Sequence, residues 1–363
     1  MSVSKMSNQI IPIFIPFLGC PHDCAFCNQV KITNYKDKAD ESSIIRQIED
    51  YLEYFKDKQT SKEIAFYGGS FTGLPLETMT SYLEIARVYK KKGIIDRIRL
   101  STRPDYINNS ILEILKSYGV DTIELGIQSF DQEVLDANER GHKVSDSEKA
   151  SKLIKDYGFK LGHQIMPGLY KDSREKIIRT ALKSAKIGPD LARIYPTLVI
   201  KDTKLEKLYQ AGLYEPLSLE DAIKISAEVL MIYEYKNINV IRIGLQPTEN
   251  INEGADVVAG PFHPALRQEV ESYIYRLYLD KLVKDLDLKD DLEIFTNDRD
   301  ISIIAGNKKS NKNYFYQKYK IKLKFKSSDS SYIISCGEKY DLDIDKFIDT
   351  YVEEKYGGDL KLD

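Results

Sequence analysis

The sequence predicts an α/β fold built on a parallel sheet, followed by a small α+β appendage. Short apolar runs typical of strands alternate with helical periodicities from residue 10 to about residue 245. Strand–helix units repeated at this length build a parallel sheet with helices outside it. After Pro261 the pattern changes to a long helix and short strand-like runs. We therefore divide the chain into residues 1–262 and residues 263–363.

Six or seven strands are expected in the larger region. In chain order they are Ile11–Phe17, Glu63–Tyr67, Arg97–Ser101, Thr122–Ile127, Lys160–Met166, Leu191–Tyr195 and, as the seventh, Val240–Leu245. Such a set forms either an open doubly wound sheet or a partial TIM-like barrel. Periodicity alone does not separate these two folds.

Capping residues mark several of the helices between these strands. Asp146 is expected to be the N-cap of a helix that ends at Gly158, and Gly119 ends the helix before the fourth strand. Another helix begins after Asp172 and Ser173.

The appendage is expected to combine strands and helices. Strand-like runs are Glu293–Thr296, Ile301–Ala305, Tyr314–Phe325 and Tyr332–Ser335, between a helix near 264–283 and a last helix near 344–356.

Charge and hydropathy limit the function classes. The chain of 363 residues carries 53 basic and 56 acidic side chains, so any RNA contact must come from a local patch. The apolar stretch Ile10–Leu18 is too short for a membrane span, and the first residues lack the apolar core of a secretory signal. We expect a cytoplasmic protein without a membrane partner.

Three of the four cysteines lie within eight residues and predict an iron–sulfur site. Cys20, Cys24 and Cys27 have the spacing C-x3-C-x2-C in the loop after the first strand. Three thiolates can hold three irons of a 4Fe–4S cluster and leave the fourth iron without a protein ligand. The amino and carboxylate groups of S-adenosylmethionine (SAM) can chelate that iron, and one electron then breaks a C–S bond to give a 5′-deoxyadenosyl radical.

Other readings of the cysteines remain open at this point. His22 could complete a structural zinc site, because three cysteines and one histidine are a known zinc ligand set. Cys336 could serve as the fourth ligand of an electron-carrying cluster. The three thiols could also be unrelated buried side chains.

A glycine pair follows the second strand. Gly68 and Gly69 let the backbone approach a ligand closely and expose its N–H and C=O groups. With this pair, the order CPHDCAFC, YGGSFT, STRPDYI, ELGIQSFD, RGH, HQIMPGL and IYPTLVIKDT resembles the radical SAM superfamily over about residues 10–265. Within it, the chain is most similar to the radical domain of the Elongator catalytic subunit, and more distantly to oxygen-independent coproporphyrinogen oxidases.

The resemblance implies a partial (β/α)6 barrel and a set of cofactor contacts. Cys20, Cys24 and Cys27 would bind the 4Fe–4S cluster. Phe26 would lie beside the cluster, and Gly68, Gly69 and Ser70 would contact the methionine amino group of SAM. Ser101 would make a further polar contact. Gln128 and Gln164 would contact the ribose, and Arg140 would bind the carboxylate. A guanidinium suits a carboxylate chemically. A reducing electron donor of the flavodoxin or ferredoxin type is also implied.

The sequence says less about the substrate than about the cofactors. The Elongator-like motifs favour RNA, most plausibly tRNA. No Gly-rich acyl-CoA loop follows residue 265, so the full carboxymethylation of wobble uridine is not expected, and a methylthiotransferase would need a second cysteine set. The alternatives are a small molecule such as a tetrapyrrole, or a metal-stabilised RNA-binding module without catalysis.

A lysine-rich run in the appendage bears on RNA binding. If Tyr319–Lys326 forms a strand, its alternation places Lys320, Lys322, Lys324 and Lys326 on one face, where they could meet phosphates. The alternative is an edge strand that its charges protect from aggregation.

Overall fold

Seven parallel strands of the described residues form the central sheet, in which they lie side by side in chain order. The computed structural model describes residues 9–15, 20, 24–28, 40–56, 60–246 and 255–361. The strands are β1 Gln9–Ile15, β2 Lys62–Gly68, β3 Arg97–Thr102, β4 Thr122–Gln128, β5 Lys160–Ile165, β6 Leu191–Ile194 and β8 Asn239–Ile243, while β7 Val199–Ile200 pairs with β9 Val257–Ala259. The sheet curls into a partial TIM-like barrel, which confirms the predicted fold class.

Helices follow most strands and cover the outside of the sheet. They are α1 Glu41–Tyr54, α2 Leu76–Lys91, α3 Asn109–Ser117, α4 Gln132–Ala137, α5 Val144–Asp156, α6 Arg174–Ile187, α7 Lys204–Gln210 and α8 Leu219–Tyr235. Two apolar cores lie between sheet and helices, one along β1–β4 and one along β5–β8. Because β1–β6 are joined through helices in chain order, their carboxyl ends all open at one rim.

The helix boundaries follow the predicted signals with one correction. Gly119 and Gly158 end their helices with φ of +76° and +80°, and Ser173 caps α6 through its side chain. Asp146 is not the N-cap of α5. The helix begins two residues earlier, and Asp146 reaches back to accept a 2.7 Å hydrogen bond from the Lys143 N–H, so the carboxylate caps the helix from its third position.

The appendage contains a four-stranded sheet in the order β11-β10-β12-β13. Its elements are α9 Leu266–Asp285, β10 Leu292–Thr296, α10 Asp298–Ala305, α11 Ser310–Tyr319, β11 Leu323–Ser327, β12 Tyr332–Ser335, β13 Glu338–Asp341 and α12 Ile344–Lys361. The division at residue 262 remains a prediction, since α12 returns to pack Val352 and Tyr356 into the core that α8 shares.

One of the predicted strands in the appendage is a helix, and another is helical over its first half. The run Ile301–Ala305 lies in α10, and the first half of Tyr314–Phe325 lies in α11. Asn311 and Phe315 are fully buried and four residues apart, which is the spacing of one helix face rather than of a strand. Lys320 then ends α11 in the left-handed region, with φ of +62°.

No helix in the described ranges is long and apolar enough to cross a membrane.

Candidate cofactor site at the barrel mouth

One cavity at the carboxyl ends of the strands brings together all the predicted site residues. They are Cys20, Cys24, Phe26, Cys27, Gly68, Gly69, Ser70, Ser101, Gln128, Arg140 and Gln164. Three residues that the sequence did not single out, Thr102, Arg103 and Gly126, also line it. The motifs are up to about 140 residues apart in the chain, so only the fold makes them neighbours.

The cysteine loop is fastened to the rim by backbone hydrogen bonds. The Ala25 N–H donates to the Asn138 carbonyl at 3.1 Å, and the Leu205 N–H donates to the Ala25 carbonyl at 2.7 Å. Cys24 and Phe26 are buried in an apolar cluster with residues of β7, α4 and α7. Residues 21–23, which include His22, lie outside the described ranges.

Burial and nearby charges act in opposite directions on Cys20. Burial raises the pKa of its thiol, while the backbone N–H of Ser70 and the guanidiniums of Arg103 and Arg140 favour the thiolate. The pKa of Cys20 is raised on balance, so the two guanidiniums only partly offset the effects of burial and of the neighbouring Cys24.

A close backbone contact requires a glycine at Gly68, the last residue of β2. Gly68 has φ of +104°, and a Cβ there would lie 2.6 Å from the Ile15 carbonyl oxygen. The Gly69 N–H donates to the same oxygen at 2.9 Å. The Ser70 hydroxyl lies 2.8 Å from the Thr102 hydroxyl and accepts from the Arg103 N–H at 3.1 Å, so it links the β2 and β3 loops.

Arg140 lies against the cysteine loop. Its side chain is buried, and its Nη1 donates to Cys24 Sγ at 3.3 Å while Nη2 donates to the Gly126 carbonyl at 2.8 Å. Its Nε is buried and has no hydrogen-bond partner among the described residues. A Cβ at Gly126 would lie 3.1 Å from Gln128 Nε2 and 3.3 Å from Arg140 Nη2, so a side chain there would crowd both groups.

Arg103 is a second buried cation in the same cavity. Its Nε and Nη2 each donate to Asp105 at 3.0 Å, and Nη2 also donates to the Arg140 carbonyl at 2.5 Å. Its Nη1 is buried without a partner in the part of the chain that the structure describes. Its signal in the sequence is its place in the STRPDYI motif, which marks the segment but does not single out this residue.

The two glutamines present amide groups to the cavity. Gln128 ends β4 at a bulge with φ of +68°, and its Oε1 is buried with no partner in the described segments. Gln164 donates through Nε2 to Glu124 at 3.0 Å, which turns its Oε1 away from that carboxylate. Ser101 donates from its hydroxyl to the Phe66 carbonyl at 3.3 Å.

A layer of paired charges supports the cavity from inside the barrel. Glu124 is fully buried and accepts from Arg99 at 2.8 Å and from Arg193 at 2.6 Å, while Arg99 also pairs with Glu63 at 2.7 Å. Burial opposes ionisation of Glu124, but the two guanidiniums outweigh it and lower its pKa to about 2. These charges balance one another and fix the direction of Gln164.

The two histidines near the site are buried. His163 lies between the hydroxyls of Ser151 and Ser184, at 3.0 and 2.8 Å, and burial lowers its pKa to about 3. His142 lies beside Arg140 and Arg103, and burial together with those cations lowers its pKa to about 3. Neither lines the cavity.

The cavity fits a 4Fe–4S cluster with SAM. Three cysteines line it, and three other lining residues each have a buried polar atom that lacks a partner among the described residues, namely the donors Arg103 Nη1 and Arg140 Nε and the acceptor Gln128 Oε1. Buried polar groups normally have partners, so an unpaired set at one cavity matches a polar ligand. No three His, Cys, Asp or Glu side chains within the described ranges are grouped to hold a single ion. A cluster does not need that grouping, because each thiolate binds a different iron.

Comparisons with family models and relatives identify the superfamily of the chain. Residues 14–183 match the model of the radical SAM superfamily, and residues 189–276 match that of the radical SAM C-terminal domain. An uncharacterised protein of Methanocaldococcus jannaschii is 33% identical over 230 residues, which cover 61% of this chain and 70% of that protein.

Two further relatives share shorter segments. A tRNA uridine(34) acetyltransferase of M. jannaschii is 36% identical over 129 residues, covering 35% of this chain and 24% of that enzyme. Elongator complex protein 3 of Mus musculus is 34% identical over 138 residues, covering 37% of this chain and 25% of that protein. The chain thus spans about a quarter of the length of both.

A solved structure shares the fold. The archaeal Methanocaldococcus infernus Elp3 with an N-terminal deletion superposes with a TM-score of 0.59 at 22% identity, covering 75% of this chain and 63% of that one. The chain therefore belongs to the radical SAM superfamily of enzymes, whose cofactors are a 4Fe–4S cluster and SAM, and it resembles the radical SAM region of Elongator proteins.

Proposed function

We propose that this protein cleaves SAM reductively and uses the resulting radical to modify tRNA. The observation that carries the proposal is the single cavity lined by three cysteines and by the eight other residues that the motifs select. It lies at the carboxyl ends of parallel strands, where barrels of this type place their chemistry.

The chain's own residues would hold and orient the cofactors. Cys20, Cys24 and Cys27 would ligate three irons. A cluster held there would supply the one electron needed to break the C5′–S bond of SAM, which releases methionine and provides the radical for hydrogen abstraction. The protein contributes positioning, and the difficult chemistry belongs to the cofactors.

Each remaining contact has a geometric basis. The backbone at Gly68 and Gly69 is free of side chains and would receive the methionine amino group. Gln128 and Gln164 would contact the ribose hydroxyls, since both line the cavity and Gln128 Oε1 is unpaired among the described atoms. Ser101 would make a polar contact to SAM, and Phe26 would pack beside the cluster.

The choice of tRNA rests on the relatives rather than on the site. One relative at 36% identity is named a tRNA uridine(34) acetyltransferase, and others are Elongator proteins. A flavodoxin or ferredoxin would supply the electron.

The test is anaerobic incubation of reconstituted protein with SAM, a reductant and bulk tRNA, followed by nucleoside mass analysis. Formation of 5′-deoxyadenosine together with a new modified nucleoside would support the proposal. If tRNA stays unchanged and coproporphyrinogen stimulates the formation of 5′-deoxyadenosine, the substrate is a tetrapyrrole and not tRNA. No 5′-deoxyadenosine from protein with an intact cluster would overturn the proposal entirely.

A further inference from the structure

We propose that a row of side chains on α11 binds the phosphate backbone of the RNA substrate beside the barrel mouth. The row consists of Lys309, Lys312, Tyr316 and Lys320, and we call it the α11 stripe. The inference rests on the proposed function, because it takes an RNA as the substrate, and it adds a surface that holds this RNA.

The segment around α11 is strongly basic in a chain that is nearly neutral. Between Ile301 and Ser328 the sequence contains eight lysines and no aspartate or glutamate, whereas the whole chain has a formal net charge of −3. The eight are Lys308, Lys309, Lys312, Lys318, Lys320, Lys322, Lys324 and Lys326. Positive charge concentrated in one place, rather than spread over the molecule, is the pattern of a surface that attracts an anionic partner.

These lysines differ in whether a carboxylate neutralises them. Lys318 pairs with Asp280 at 2.8 Å, and Lys324 and Lys326 also have acidic partners. The three lysines of the α11 stripe form no ion pair with any residue that the structure describes. A phosphate can therefore approach them without displacing a carboxylate of the protein.

The members of the α11 stripe follow one another along one face of the helix. Their spacing is three, four and four residues, which puts side chains in a row on a helix, and Lys320 Nζ lies 5.8 Å from the centre of the Tyr316 ring. Asn311 and Phe315 carry the buried face instead. At a rise of 1.5 Å per residue the row is about 16 Å long, which is enough to follow several phosphates.

The helix α9 connects the appendage to the rim of the barrel. β8 is the last strand of the described sheet, and Gly244 follows it at the carboxyl end. Leu266, the first residue of α9, lies so close to Gly244 that a Cβ there would be 3.0 Å from Leu266 Cδ2. The first turn of α9 is therefore at the same rim as the cofactor cavity, beside the edge of the sheet.

α11 starts near this rim and runs away from it. Asn311, in the first turn of α11, donates to the Ser272 carbonyl at 2.9 Å, less than two turns into α9. At the other end of α11, Tyr319 donates from its hydroxyl to Asp280 at 2.7 Å, two turns further along α9. The α11 stripe thus extends outward from the side of the barrel mouth.

A phosphate backbone is the occupant that this arrangement fits. Lysine ammonium groups are point charges that meet phosphates, and phosphate contacts position a nucleic acid without reading its sequence. Tyr316 is 51% exposed and lies between Lys312 and Lys320, where its ring can stack on an unpaired base. An acidic protein would use the lysines but would leave the exposed ring without a role.

The experiment measures binding of bulk tRNA to reconstituted protein without reductant, at several salt concentrations. Changing Lys309, Lys312 and Lys320 together to Ala should weaken binding roughly tenfold or more. It should also lower the slope of log affinity against log salt by about two to three units, because each phosphate contact contributes nearly one. Arginine at the same three positions keeps the charge and should keep the slope.

The paired lysines of the same appendage are the matched control. Changing Lys324 and Lys326 together to Ala removes two charges that carboxylates already neutralise, so affinity and slope should change far less than in the α11 stripe variant.

Tyr316 gives a second readout that a change of charge does not. Tyr316→Ala should weaken tRNA binding about fivefold or more and leave the salt slope unchanged, because stacking on a base releases no counterions. Tyr316→Phe keeps the ring and should bind tRNA as the native protein does.

Native tRNA affinity and salt slope in the triple alanine variant would overturn the inference. If that variant is also reduced more slowly by flavodoxin, the α11 stripe binds an acidic protein and not RNA. Native cluster absorbance shows that the variant is folded, and if it is absent, Lys312→Ala and Lys320→Ala separately should each lower the slope by about one. Failure of the proposed function would appear in the native protein itself, as tRNA that stays unmodified.

Discussion

The barrel mouth and the appendage differ in how their polar and charged side chains are paired. In the mouth, buried Arg103, Arg140 and Gln128 each keep one polar atom without a partner among the described residues. On the appendage, Lys324 and Lys326 of edge strand β11 pair with Asp291 and Glu293, each at 3.0 Å, with their side chains more than half exposed. Unpaired polar atoms in a buried place indicate a ligand, whereas paired charges in water need none.

The largest effect is expected from substitutions of the cysteines in the barrel mouth. Changing Cys20, Cys24 or Cys27 to Ala should abolish the brown absorbance of the reconstituted cluster and all cleavage of SAM, because each would supply one of only three ligands. Iron and sulfide analysis after anaerobic reconstitution measures the effect.

Cys336 is the matched control in the appendage. Its thiol is exposed and lies 3.0 Å from Asp290 Oδ2, at the end of β12. Cys336→Ala should leave cluster content and SAM cleavage unchanged. Loss of the cluster in this variant alone would contradict the ligand assignment.

The next largest effect is expected in the charged layer under the cavity. Glu124→Gln leaves Arg99 and Arg193 buried with less compensation, and we expect a loss of about 3 kcal/mol or more in the free energy of unfolding. Glu293→Gln breaks an exposed pair with Lys326 and should cost less than about 1 kcal/mol. Urea denaturation measures both, and equal losses would contradict the distinction between the two regions.

The lowered pKa of Glu124 should also make the free energy of unfolding depend on pH. Its pKa falls from an ordinary 4.5 to about 2 in the fold, so the ionised form is the one that folding favours. The stabilisation is therefore complete above about pH 4.5 and is lost as the pH falls towards 2. Glu124→Gln should flatten this part of the acid unfolding curve, while Glu293→Gln leaves it unchanged.

The site residues that could be predicted from the sequence are those that form a recognisable local pattern. Three clustered cysteines and a glycine pair after a strand are rare patterns, and the parallel fold then requires that they meet at one rim. Arg103 was not singled out although it lies in the STRPDYI motif, because the motif does not show which of its side chains is buried in the cavity. Gly126 is similar, since its need for no side chain arises from Arg140 and Gln128 approaching it from elsewhere in the chain.

The appendage was predicted less well for a related reason. Alternating lysines and aromatic residues fit a strand, yet the segment up to Tyr319 is helical because Phe315 and Asn311 are buried on one helix face. The partners of Lys324 and Lys326 belong to another strand and its preceding loop, and local pattern carries no information about them.

A smaller difference between the two regions is expected in the stability cost of replacing a glycine. Gly68 and Gly337 both have positive φ, but a Cβ would lie 2.6 Å from the Ile15 carbonyl at Gly68 and would meet nothing within 4 Å at Gly337. Gly337→Ala should cost about 1–2 kcal/mol of stability from backbone strain alone. Gly68→Ala should cost more and should also weaken SAM binding, since the loop must shift. Thermal unfolding and SAM affinity test this, and normal SAM affinity in Gly68→Ala would contradict the close approach.

The smallest effect is expected from the lysines of β11. With Lys324 and Lys326 changed to Ala together, tRNA affinity should fall by less than about threefold, because carboxylates already neutralise both charges. The salt dependence of binding should change by less than about one unit of slope, where each phosphate contact contributes about one. Lys320 and Lys322 are exposed and form no ion pair within the described ranges, so the corresponding double variant is the comparison. A large, salt-dependent loss in the Lys324 and Lys326 variant would assign an RNA contact to β11 and remove the distinction between its surface and the barrel mouth.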